Sequence, residues 1–274
     1  MANFFELLRQ NWKEKKSLCV GLDSEVAKLP NGEDQLSFNR AIIEATCDLV
    51  AAYKPNSAFY ESQGAVGWEV LKETIRFIHE KAPGVPVILD AKRADIGNTN
   101  AGYAQAAFGD LQADAITLNP YMGIEALAPF LSYKEKGCFI LCRTSNPGAK
   151  EFQDLVAGEQ PLYLKVAEDV AKNWNQNKNC GLVAGATYPE ELKKIREVAP
   201  ELPFLVPGIG SQGGDLQKVL QFGETNKGEG LLLNVSRSVL FASSNKNFAE
   251  AARREVENVT KEIVRIHHGS AGKF

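Results

Sequence analysis

The chain has 274 residues and a formal net charge of −3, so bulk electrostatics give no case for nucleic-acid binding. Hydrophobic residues make up 44%, enough for a sizeable core, and the length suits one large barrel, a class that commonly runs to ~250 residues. No apolar run reaches the ~18 residues of a membrane span, and the only histidines, His79, His267 and His268, neighbour no candidate site, which leaves a zinc site or a histidine base without support. The Met1-to-Asn11 stretch, interrupted by Glu6 and Arg9, is unlike a signal peptide and reads as an extra helix closing a barrel bottom.

Short apolar strands are predicted near Leu18–Leu22, Val50–Lys54, Val85–Asp90, Ala115–Leu118, Cys138–Cys142, Gly181–Gly185, Phe204–Val206 and Leu231–Val235. Amphipathic segments of helical period separate them. Ile42, Ile43, Thr46, Leu49 and Val50 share one face, as do Val66, Val70, Leu71, Phe77 and Ile78. Phe248, Ala252, Val256, Val259, Ile263 and Ile266 form a last stripe, and His267 to Phe274 reads as a frayed polar tail. The first strand ends Val20-Gly21-Leu22-Asp23, without a dinucleotide fingerprint. Strand–helix alternation with no compositional break predicts a single (β/α)8 TIM barrel domain over residues 1–274. Cys19, Cys47, Cys138, Cys142 and Cys180 lie in apolar or helical stretches with no C-x-x-C pair, as buried thiols of a cytoplasmic, reducing compartment would.

Barrel chemistry belongs where strands end on one face, and polar residues gather there. Asp23 follows the first strand, Lys54 the second, Asn119 the fourth, Thr144 to Gly148 the fifth and Thr187 the sixth. On the third, Asp90 and Lys92 leave the same face by strand alternation, with Asp95 on the loop beyond. Gly97 would loosen that turn, and Thr99 is placed to cap the next helix. Charges beside a core are expected either to pair or to work. After the seventh strand, Pro207 to Asp215 is rich in glycine, and Gly213-Gly214-Asp215 would open a helix whose N-terminus favours an anion. Arg237 after the eighth adds a fork of charged donors. The last two loops together predict a phosphate site and a phosphorylated substrate.

The string Leu89-Asp90-Ala91-Lys92-Arg93-Ala94-Asp95-Ile96-Gly97-Asn98-Thr99 resembles the signature of the orotidine 5′-phosphate decarboxylases, and the segments Tyr53–Tyr60 and Leu231–Ser238 look like the longer, ~270-residue branch of that family. The resemblance extends over nearly the whole chain. It implies decarboxylation of orotidine 5′-phosphate to UMP in de novo pyrimidine biosynthesis, with no metal and no cofactor, in a homodimer with shared sites. Lys92 then stabilises the carbanion at C6 and protonates it, Asp90 sits beside the substrate carboxylate, and Lys54 joins the charge network. Asp95 and Thr99 reach into the partner's site, Asp23 meets the ribose, Ser145 the pyrimidine, and Gln212 and Arg237 the phosphate. Shorter relatives usually have Gly before the final arginine, where this chain has Ser236. Two alternatives stand beside this reading. One is a Mg²⁺-dependent sugar-phosphate lyase or decarboxylase of the same barrel group, the other a non-catalytic nucleotide-phosphate-binding barrel.

Overall fold

The computed structural model describes residues 3–30, 32–209 and 214–270. Eight parallel strands form one sheet: β1 Leu18–Gly21, β2 Ala52–Lys54, β3 Ile88–Arg93, β4 Ala115–Leu118, β5 Gly137–Arg143, β6 Cys180–Ala184, β7 Phe204–Pro207 and β8 Leu231–Val235. The spatial order is β2-β1-β8-β7-β6-β5-β4-β3. The two ends meet through bridges Tyr53↔Val87 and Asn56↔Asp90, which draws the sheet into a nearly closed barrel. Helices Gln35–Thr46, Gly64–Lys81, Gly97–Ala104, Gly123–Leu131, Leu162–Asp169, Pro189–Val198, Leu216–Gly223 and Phe248–Ser270 return the chain between or after strands. The predicted (β/α)8 architecture is therefore the observed one.

Strand side chains alternate, so each strand feeds two cores. Outward residues such as Val20, Leu89, Ile116 and Leu233 pack under the helices, against Ile42, Ile75, Phe130 and Val256. Inward residues Cys19, Ala52, Ile88, Ala115, Phe139, Val183, Leu205 and Leu232 fill the barrel together with Phe4, Phe5, Leu8 and Trp12. Those last four lie on the helix Phe4–Lys13, which plugs the N-terminal end as expected. Asn11 Nδ2 donates to Ala51 O and Gly84 O, each at 3.0 Å, and Trp12 Nε1 donates to Leu231 O at 2.7 Å, so the plug is bolted to strand ends. Phe139 meets Phe4 and Phe5 edge-on, with ring centroids 5.8 and 5.9 Å apart. Phe139→Ala should cost about 3–5 kcal/mol, and a thermal melt should move down by roughly 10 °C.

Three expectations need correction. The third strand begins at Ile88, later than Val85, because Pro86 has no N–H to give a ladder, and it runs on to Arg93. Val66 is 70% exposed, since the buried face of its helix runs through Gly67, Leu71, Thr74, Ile75 and Ile78, one residue out of phase with it. The predicted frayed tail from His267 is helical to Ser270: Ile263 stays buried, and His267 Nε2 lies 2.9 Å from Glu224 Oε1. Residues 271–274 lie outside the described ones.

Candidate active site

At the C-terminal ends of the strands the barrel opens into a cavity of about 440 Å³. One side is charged. Asp23, Lys54, Asp90 and Lys92 form an alternating row: Asp23 Oδ1 is 3.8 Å from Lys54 Nζ, Lys54 Nζ is 2.9 Å from Asp90 Oδ2, and Asp90 Oδ1 is 2.7 Å from Lys92 Nζ. Lys54 and Asp90 are buried, at 3% and 8% exposure, whereas the Lys92 side chain is 48% exposed and stands at the open end of the row. The opposite wall is apolar, made by Leu141, Val183, Leu205 and Ile209. Lys54 and Asp90 are withdrawn from water at the inner end of the row, where their pairing is worth more than the same contact in bulk water.

The row sets its own protonation. Burial alone would raise the Asp90 carboxyl, but the charges of Lys54 and Lys92, with their hydrogen bonds, hold it well below the usual carboxylate range. Burial alone would lower the Lys54 ammonium, yet Asp23 and Asp90 together hold it above its ordinary value. Asp90 is a fixed anion and Lys54 a fixed cation at neutral pH. Burial also pushes the neighbouring Cys19 thiol up to about 12, which keeps it neutral.

Strand alternation placed Asp90 and Lys92 together, and they are together, but by another route. Lys92 has φ +47, a left-handed conformation that costs a non-glycine residue about 1–3 kcal/mol, and β3 slips register against β4 between Leu89 and Arg93. Thr117 holds this kink. Its Oγ1 accepts the Lys92 backbone N–H at 2.9 Å and donates to Asp90 Oδ1 at 2.8 Å. Asn56 Nδ2 reaches Asp90 Oδ2 at 3.4 Å. Asp90 therefore has both oxygens engaged, by two ammonium groups, a hydroxyl and an amide.

Ser145, Ser236 and Arg237 also line the cavity. Ser145 sits so close to β6 that a Cβ at Gly185 would stand 2.9 Å from its backbone, so only glycine fits there. At Gly21 an added Cβ would lie 1.9 Å from Ser236 Oγ, so a larger residue there would force that hydroxyl to turn. Arg237 opens the short turn Arg237–Leu240. Gln212 lies outside the described residues. The expected anion-binding helix start is different from prediction: the helix Leu216–Gly223 has Asp215 as its N-cap, accepting Lys218 N–H at 3.1 Å, so a carboxylate already occupies that terminus. Pro207 and Gly208 at the end of β7 face the cavity instead, beside Arg237.

Asp95 and Thr99 do not line this cavity. Asp95 Oδ1 accepts the N–H of Ile96 at 2.7 Å, and its own N–H donates to Asn100 Oδ1 at 2.9 Å. Thr99 is exposed and caps nothing: Gly97, at φ +48, starts the helix early, so Thr99 falls within its first turn. Asn119 and Thr187 are likewise off the cavity, Asn119 accepting Tyr121 N–H at 3.1 Å. Sequence reasoning missed Asn56, Thr117, Gln153 and Asn234. Thr117 and Asn234 are lone polar residues inside apolar strands, close to the end that carries the chemistry, and that position is the signal that marks them. Asn234 Oδ1 and Asp23 Oδ1 are buried with no hydrogen bond among the described residues.

The model of the orotidine 5′-phosphate decarboxylase / HUMPS family matches residues 16–253. An orotidine 5′-phosphate decarboxylase of Herpetosiphon aurantiacus is 56% identical over 246 residues, covering 88% of this chain and 90% of that protein. One from Thermomicrobium roseum is 50% identical over 280 residues, covering 99% and 98%. Among solved structures, the OMP decarboxylase of Leishmania donovani superposes with a TM-score of 0.85 at 42% identity, covering 96% of this chain and 98% of that one. The orotidine 5′-monophosphate decarboxylase of Methanocaldococcus jannaschii, complexed with the inhibitor BMP, gives 0.66 at 28% identity, with 88% and 97% covered. The chain belongs to the orotidine 5′-phosphate decarboxylase family.

Proposed function

We propose that this protein converts orotidine 5′-phosphate to UMP and carbon dioxide without metal or organic cofactor, the UMP-forming step of pyrimidine biosynthesis. The observation that carries the reading is the row Asp23–Lys54–Asp90–Lys92 at the strand ends, with its terminal ammonium turned to the cavity. When the bond from C6 to the carboxyl carbon breaks, its electron pair stays on C6 as carbon dioxide departs. Lys92 supplies positive charge beside that carbon and then delivers a proton to it. Fixed charge in a water-poor site is usually the largest catalytic contribution, because it needs no rearrangement as the reaction proceeds. Asp90 is ion-paired with Lys92 at 2.7 Å and stands beside the scissile carboxylate, with Lys54 as its counter-ion.

Binding is assigned to the rest of the rim. Asp23, which lines the cavity at the far end of the charged row, takes a ribose hydroxyl. Ser145 meets the pyrimidine edge, while Arg237 and Gln212 hold the phosphate. Phosphate held away from C6 contributes binding energy that orients the reacting carbon. Asp95 and Thr99 are assigned to the neighbouring site of a homodimer. Their absence from the cavity of their own chain supports this, and so do exposed Ile96, Tyr103, Tyr121, Met122 and Ile124 around the packed helices Gly97–Ala104 and Gly123–Leu131. One barrel domain in the cytoplasm is the matching setting. Five cysteines without a disulfide support a reducing compartment, and no helix among the described residues is long and apolar enough to cross a membrane.

Orotidine 5′-phosphate mixed with the purified protein should change its ultraviolet spectrum to that of UMP as carbon dioxide is released one for one. Bound substrate with unchanged absorbance would instead identify a non-catalytic binder. Activity should also survive exhaustive chelation, since Lys54 and Lys92 already neutralise the carboxylates that a divalent ion would need. Turnover abolished by EDTA and restored by Mg²⁺ would move the assignment to the metal-dependent sugar-phosphate enzymes.

A further inference from the structure

Arg143 ends β5 at the lip of the cavity, yet its side chain is only 1% exposed. Its guanidinium is ion-paired with Asp154: Nη2 donates to Oδ2 at 3.1 Å, and Nε stands 2.7 Å from Oδ1 without the alignment of a hydrogen bond. Nη1 donates to Thr144 O at 2.8 Å, and the guanidinium carbon lies 4.1 Å from the ring centroid of Tyr188. One planar cation thus joins the first residue of the segment after β5, Asp154 further along that segment, and the loop after β6. Ser145 lies between the two anchored points. Gln153 adds a strut: its Oε1 accepts Thr144 N–H at 2.8 Å, and its Nε2 donates to Thr144 Oγ1 at 2.9 Å. Gly185 leaves room for Ser145, since a Cβ there would stand 2.9 Å from the Ser145 backbone.

A buried guanidinium is a costly way to hold a loop, because desolvation offsets much of the ion-pair attraction, and apolar packing often stabilises as well. What apolar packing lacks is direction. A planar fork bonded at two points and stacked on a ring fixes orientation as well as distance. We propose that Arg143 is a positioning residue that sets Ser145 against the pyrimidine of the substrate, so the ring side of the cavity is shaped before the nucleotide enters. The proposal rests on the role given to Ser145 under Proposed function.

Arg143→Lys keeps a charge within reach of Asp154 but removes the fork and the stack. Binding of UMP should weaken about five- to tenfold, as expected for a displaced hydrogen bond. Ribose 5-phosphate, which has no pyrimidine, should bind within about twofold of the unaltered protein. In a Ser145→Ala background the same replacement should change UMP binding less than about twofold, because the positioned group is gone. Asp154→Asn, which keeps the side chain's size but removes the carboxylate charge that anchors the guanidinium, should repeat the pattern, and thermal melts establish that each variant is folded. Equal weakening of both ligands, full multiplication of the two effects in the double variant, or unchanged UMP binding would each overturn the proposal. These readouts need no turnover: an unaltered protein that binds UMP but leaves orotidine 5′-phosphate intact would defeat the decarboxylase reading alone.

Discussion

Lys92→Ala is expected to lower the turnover number for orotidine 5′-phosphate by roughly four orders of magnitude or more. It removes both the cation that meets charge on C6 and the acid that protonates it, contributions worth ~10²–10³ and ~10²–10⁴ respectively in other enzymes. The fold should tolerate the change. Lys92 is half exposed, Asp90 keeps Lys54 at 2.9 Å and Thr117 at 2.8 Å, and alanine has less to lose than lysine in the exposed rim. Arg237→Ala should behave differently. A phosphate is held in every bound state, so the loss should fall mainly on KM, about 10- to 100-fold for one charged hydrogen-bonding partner. Saturation kinetics on both variants separate the roles. A Lys92→Ala protein with a near-normal turnover number would show that Lys92 is not the group that meets the carbanion.

The second large effect is complementation between two dead variants. Lys92→Ala and Asp95→Asn homodimers should each be nearly inactive, if Asp95 serves the Lys92 of the neighbouring subunit. A heterodimer of the two unites an intact Lys92 from one chain with an intact Asp95 from the other, and should regain one working site of two. The geometry motivating this is local. Asp95 is absent from the cavity lining of its own chain, and the main chain around it is fixed by Asn100 and Ile96. If Asp95 completed its own subunit's site, every site in the mixture would carry a lesion and nothing would return. Co-refolding, isolation of the heterodimer and assay decide the matter; verified heterodimers without activity would exclude the shared site.

Much of this arrangement was legible in the chain. Interior strands of a parallel barrel are buried on both faces, so Leu18–Gly21 or Leu231–Val235 appear as short apolar runs, and a charge just beyond such a run is conspicuous. Asp23, Lys54 and Asp90 were found that way. Periodicity does not register a polar residue inside the run, so Thr117 and Asn234 passed as core although both face the cavity. Nor does it foresee a left-handed lysine: alternation gave the right neighbour for Asp90 while missing the kink and the Thr117 bond that produce it. The Arg143–Asp154–Tyr188 cluster depends on contacts between separate loops, which local pattern does not encode. The end of the last helix was missed for a simpler reason: His267 and His268 are polar, yet Ile263 beneath them and Glu224 beside them hold the final turns.

At C6 carbon dioxide is replaced by a proton from a solvent-exchanging group, as an ammonium such as Lys92 would supply. Running the reaction in D₂O and examining the nucleotide by proton NMR tests it most directly. UMP is expected to carry deuterium at C6, with the H6 signal absent and carbon dioxide released in equal amount. Orotidine 5′-phosphate recovered unchanged, or UMP formed with a proton at C6 from a non-exchanging source, would contradict it.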